Sequence, residues 1–138
     1  MNSICKVYRI SDAGYRKDKL PISKIQCLKN FINVFGNENL YVLADNCSET
    51  TLDQLNNISN LYYREIDGGS SAESWKVANE FALNKFKDKD IVYFVEDDYL
   101  HLPDSSKIIN EGIEAGSAYV TLYDHPDKYI NANEGGNP

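Results

Sequence analysis

Glu96-Asp97-Asp98 is the stretch of this 138-residue chain with the clearest chemical potential. Three consecutive carboxylates follow Ile91-Val92-Tyr93-Phe94-Val95, a short run of apolar, β-branched and aromatic residues. Such a run reads as a strand buried on both faces. Carboxylates crowded at its end repel one another and lose hydration unless something positive sits beside them. A divalent cation is the most economical counter-charge, and hard oxygen donors suit Mg²⁺ or Mn²⁺. Alternation along a strand sends Glu96 and Asp98 to one side and Asp97 to the other. The plainer reading is three solvated loop acids with no metal.

The elements that must position these acids follow from periodicity. Residues 4–10 form a strand candidate that runs into Ser11, Asp12 and a polar loop containing Arg16. Pro21 opens a helix in which Ile22, Ile25, Leu28, Phe31, Ile32 and Phe35 recur at helical spacing, and Gly36 ends it. A second strand, 40–44, meets Asp45-Asn46-Cys47-Ser48, where Ser48 caps a short helix carrying Leu52 and Leu55. A third strand, 61–66, leads into Gly68-Gly69-Ser70-Ser71 and a helix over about 72–86 with Trp75, Ala78, Ala82 and Phe86 along one face, Trp75 being read as core. After the acidic strand, Asp104 or Ser105 caps a further helix, and 119–123 reads as a fifth strand leading into Asp124-His125.

Strands alternating with helices predict an α/β fold with a mostly parallel sheet and helices on both faces. In such sheets ligands bind outside the carboxyl ends of the strands. Ser11-Asp12, Asp45-Asn46, Gly68-Gly69-Ser70-Ser71 and Glu96-Asp97-Asp98 therefore share one expected crevice. This convergence carries more weight than any single motif. Each member has a bland reading: Asp45 and Asp12 as turn formers, Gly69 and Ser70 as a tight turn and helix cap. A helix start beside phosphates is nonetheless chemically apt, because its free N–H groups and dipole favour anions. The loop lacks the lysine and spacing of a P-loop. His101 and His125 are further candidate ligands.

Composition narrows the class. Hydrophobic content of 42% and charged content of 25% fit one globular domain over 1–138, and a net charge of −7 argues against gripping nucleic acid. Cys5, Cys27 and Cys47 are odd in number and lack metal-ligand spacing, so they read as reduced thiols of a cytoplasmic protein. No transmembrane span or signal-peptide core is legible.

The same residues resemble the nucleotide-sugar-binding portion of a GT-A-type glycosyltransferase, family 2-like. Glu96-Asp97-Asp98 after an apolar strand is similar to that family's DXD motif, with Glu in the first position. Gly68-Gly69-Ser70-Ser71-Ala72-Glu73-Ser74-Trp75 resembles the helix start that precedes it. The resemblance implies a Rossmann-like GT-A sheet binding a nucleotide-diphosphate sugar, most commonly a UDP-sugar, with Mn²⁺ or Mg²⁺. It implies Asp98 as the direct metal ligand, with Glu96 or Asp97 bonding the ribose or metal-bound water, which makes Glu96 a second candidate ligand. Asp45 would recognise the base, while Ser11, Asp12 and Arg16 would lie near base and ribose and Gly69 and Ser70 near the phosphates. The sugar would pass to an acceptor such as a glycan, lipid or protein.

The resemblance also places an acceptor-binding half and catalytic base downstream, and no counterpart of that base is found here. The turn-like composition of residues 131–138 fits a domain cut short, whose open sheet edge could pair with a second copy. The alternatives are a non-catalytic nucleotide-sugar-binding module and, from another class, a receiver-like phospho-acceptor domain using Asp67.

Overall fold

The computed structural model describes residues 3–12 and 21–122. The chain divides into two compact units, Met1–Leu102 and Pro103–Pro138. The first unit holds four parallel strands, β1 (Ile4–Ser11), β2 (Leu40–Asp45), β3 (Tyr63–Ile66) and β4 (Ile91–Glu96), in the order β3-β2-β1-β4. Its helices are α1 (Lys24–Phe35), α2 (Glu49–Asn56) and α3 (Ser71–Lys85). The expected α/β arrangement with a parallel sheet is therefore present. In the second unit the described element is α4 (Ser105–Glu114), whose N-cap Asp104 makes no side-chain capping bond.

Period-two alternation in the strands divides the core in two. Tyr8, Ile10, Val42, Ala44 and Val95 join Ile25, Leu28 and Phe31 of α1 and Leu55 of α2. Val7 and Leu43 join Ala78 and Ala82 of α3, with Val92 and Phe94 packed against them. Small residues on α3 let that helix approach the sheet closely. Phe31 is fully buried and touches the rings of Tyr8, Phe35, Tyr93 and His101.

Local chemistry sets the helix ends. Ser23 and Gln26 form a reciprocal capping box at the start of α1. Ser48 and Ser70 cap α2 and α3 by accepting from the amides of Thr51 and Glu73. Gly36 ends α1 with φ of 74°, a left-handed conformation that glycine adopts freely. The last turn of α1 has no basic residue of its own; Lys6 reaches from β1 and donates to the Phe35 carbonyl at 3.2 Å. Pro21 thus lies before the helix rather than opening it.

Three further expectations change. Residues 119–122 form no strand, and Tyr123 lies outside the described residues. Their β-type composition is not matched by ladder partners among the described residues, and composition alone does not make a strand. Strand β4 is not buried on both faces: Val95 is buried, residues 91–94 are half-buried, and β1 is its one strand neighbour among the described residues. Trp75 is not core but 44% exposed. It shares the helical face of Ala78 and Ala82, yet lies one turn nearer the end, where it packs on Phe94.

Replacing Phe31 with alanine should lower unfolding stability by about 3–5 kcal/mol in urea titrations. Leu83→Ala, at a site 81% exposed, should stay within about 0.5 kcal/mol of the parent.

Candidate functional site

Strand order changes direction between β1 and β4. The chain steps from β1 outward to β2 and β3, then returns across the sheet to β4. A crevice outside the carboxyl ends of two such strands is the usual ligand position in an open α/β sheet. The ends of β1 and β4 carry Ser11-Asp12 and Glu96-Asp97-Asp98.

Asp97 is the anchor of this edge. Its Oδ2 accepts the Ser11 amide at 2.8 Å and pairs with Lys24 Nζ at 3.1 Å; both side chains are largely buried. Lys24 also donates to the Ser11 carbonyl. Burial pushes the Asp97 carboxyl above its ordinary range, while the Ser11 amide and the Lys24 charge pull it back and neighbouring Asp98 adds to the rise. Glu96 lies on the opposite face, as alternation requires. Its carboxylate pairs with Arg9 at 2.7 Å, and the two residues are register partners across β1 and β4. Arg9 also donates to the Ser71 carbonyl at 3.3 Å and stands 5.3 Å from the centre of the Trp75 ring. Asp98 follows the strand in a turn and is exposed.

The positive charge that three adjacent acids demand is therefore supplied, for two of them, by the chain itself. Among the described residues, no three His, Cys, Asp or Glu side chains come together as a metal-holding group. Asp98 is the carboxylate of the triplet that faces solvent and enters no ion pair among the described residues.

The other acids at this edge fasten the framework. Asp12 accepts the Ser48 amide at 2.6 Å and the Thr51 hydroxyl at 3.0 Å, tying the end of β1 to the start of α2. Asp45 is 6% exposed and accepts the Gly68 amide at 2.9 Å and the Asn46 side-chain amide at 3.2 Å. A Cβ on Gly68 would stand 2.8 Å from the Ser74 nitrogen and 2.9 Å from the second Asp45 oxygen, so the close approach requires glycine. Gly69 adopts φ of +78° with open space around it, and Ser70 spends its hydroxyl on the α3 cap. Residues 69–73 are exposed. Arg16, Asp124 and His125 lie outside the described residues.

His101 is 8% exposed and turned into the core against Phe31 and Phe35. Its Nε2 shares a 2.7 Å hydrogen bond with the Tyr93 hydroxyl. Burial lowers its proton affinity, so the neutral ring is favoured. This is a packed histidine, not a ligand presented to the crevice.

Sequence reasoning overlooked Lys24, Arg9, Asn30 and Thr51. Two of them carry a legible signal. A cation in the first turn of a helix opposes the macrodipole and asks for an acidic partner. An arginine one residue before the end of a largely apolar strand asks for one too.

Compared with protein-family models, curated proteins and solved structures, the chain matches none. Among the described residues, no helix is long and apolar enough to cross a membrane.

In carbon-detected NMR titrations the Asp97 carboxyl should protonate above the ordinary 3.8. Lys24→Met should move it higher still, since the lysine charge is what lowers it. The folded state holds this proton more tightly than the unfolded chain. Its contribution to stability is therefore greatest below pH 3.8 and declines as pH rises through the folded value.

Proposed function

We propose that this chain is a nucleotide-diphosphate-sugar-binding domain of a metal-dependent glycosyltransferase, with a UDP-sugar as the favoured donor class. The observation that carries the reading is Asp98, an exposed carboxylate held beside an anchored neighbour where the strand order changes direction. Mg²⁺ and Mn²⁺ sites at phosphates commonly use one or two carboxylates, substrate oxygens and water rather than an all-protein cage. One accessible carboxylate fits such a substrate-completed site, and Asp98 would hold the ion. When bound, the metal would offset charge developing on the departing diphosphate.

The chain's own groups have separate tasks. The open loop at Gly69 and the exposed first turn of α3 offer backbone N–H groups to phosphate oxygens. Arg9, with Glu96 and the Ser71 carbonyl, fixes the wall between that turn and β4. Asp12 and Asp45 act on this reading as framework acids, each holding one loop in place.

The binding-module alternative is favoured by one specific feature. Glu96 and Asp97 are both charge-paired, which leaves neither as a ready general base. The receiver-like reading loses ground on topology. A receiver's flavodoxin-like order, 2-1-3-4-5, sets the third strand beside the first. Here β3 lies at the sheet edge beyond β2.

Titrating UDP and UDP-glucose with and without Mn²⁺, by calorimetry and melting, tests the proposal. At about a hundred times the dissociation constant the ligand should add roughly 2.7 kcal/mol, a rise of several degrees. Asp98→Ala should abolish the metal-dependent part. Absence of nucleotide binding under every condition would sink the reading, and release of free sugar from the donor would exclude a purely binding role.

A further inference from the structure

Asp98 sits on an arch whose two feet rest on α1. One foot is Asp97, tied to Lys24 at the first position of that helix. The other is His101, held through both backbone groups and one ring nitrogen, while its Nδ1 is buried without a partner among the described residues. The Asn30 side-chain oxygen accepts the His101 amide at 2.7 Å, and the Asn30 amide donates to the His101 carbonyl at 3.2 Å. The His101 ring bonds the Tyr93 hydroxyl at 2.7 Å and meets Phe31 and Phe35 edge-on. Between the feet, Asp98, Tyr99 and Leu100 are exposed.

Two anchoring positions six residues apart on a helix are separated by about 9 Å along its axis. Four extended residues reach roughly 13–14 Å. The segment from Asp97 to His101 is long enough to bow away from the helix; it turns at 97–98, and residues 98–100 are exposed. An unanchored segment of this kind would sample many conformations and lose that freedom on binding.

We propose that Asn30 is a positioning residue: by pairing with both backbone groups of His101 it closes this arch and holds Asp98 where a cation and a diphosphate can meet it. The inference rests on the nucleotide-and-metal reading for the ligand, but the arch itself does not. Asparagine suits the task because one amide both accepts and donates, as a neighbouring strand would. Aspartate at this position keeps the acceptor and loses the donor. Alanine loses both.

The experiment compares the parent chain with Asn30→Ala, Asn30→Asp and Asp98→Ala. Amide hydrogen exchange reports the arch. Mn²⁺ binding in the presence of UDP, followed by the loss of the free-ion paramagnetic signal, reports the site. UDP binding without metal is the control. In Asn30→Ala, exchange should accelerate at residues 98–101 while the Ser11 amide and the β1 ladder stay protected. Mn²⁺ affinity should fall about tenfold, the lower end for loss of a group that orients a metal ligand, with metal-free UDP binding unchanged. Asn30→Asp should show a smaller version of both effects, and Asp98→Ala should lose Mn²⁺ without loosening residues 99–101. Unchanged exchange in Asn30→Ala, or faster exchange with undiminished Mn²⁺ affinity, would overturn the assignment. If the parent chain binds no Mn²⁺ with UDP, the nucleotide reading and the cation-positioning role fail together. Faster exchange confined to residues 98–101 would then still support the anchored arch, and faster exchange throughout the sheet would overturn that as well.

Discussion

The buried contact of Asp97 with Lys24 and the Ser11 amide is the constraint on which the carboxyl edge of this sheet depends. A carboxylate removed from water loses hydration worth several kcal/mol, and only good geometry with full hydrogen bonding offsets that loss. Here one acid engages the end of β1 and the start of α1 while belonging to the end of β4. Burial still wins over both partners in raising its proton affinity. The contact is therefore weak as a source of stability and strong as a specifier of position. Lys24, placed against the helix dipole, makes sense only through that contact.

Separating the triplet onto different faces resolves most of its repulsion without help from outside the chain. Glu96 turns to Arg9, Asp97 turns to Lys24, and Asp98 remains in the turn between them and the buried His101. The acids are thus not three equivalent donors. Two hold the ends of β1 and β4 together from opposite sides of the sheet, and the third follows them in the turn.

Much of this was legible because periodicity is a local property. The apolar spacing of α1, the glycine at its end, the serine caps and the β-branched runs of β1, β2 and β4 all act over a few residues, and the parallel α/β class follows from their alternation. Alternation also placed Glu96 and Asp97 on opposite faces. What escaped was set by distant pairing. Arg9 meets Glu96 across a separation of 87 residues, and Asp97 meets the Ser11 amide across 86. A strand's acids look unsatisfied until the register of its neighbour is known. The same limit explains residues 119–122, whose composition suits a sheet, and Trp75, whose helical face runs past the small residues that pack on β1.

The loops at this edge fasten one another before any ligand arrives. Asp12 binds the start of α2, Asp45 binds the turn before α3, Asp97 binds the end of β1, and Asn30 binds the segment after β4. Each bond joins elements far apart in sequence at the one level of the sheet where no ladder continues. A sheet edge fastened this way would need little ordering if a ligand met it, so more of the contact energy would appear as affinity. Asp45 and Asp97 are largely withdrawn from solvent by holding the frame, Glu96 stays half-exposed in its pair with Arg9, and the exposed Asp98 lies beside them.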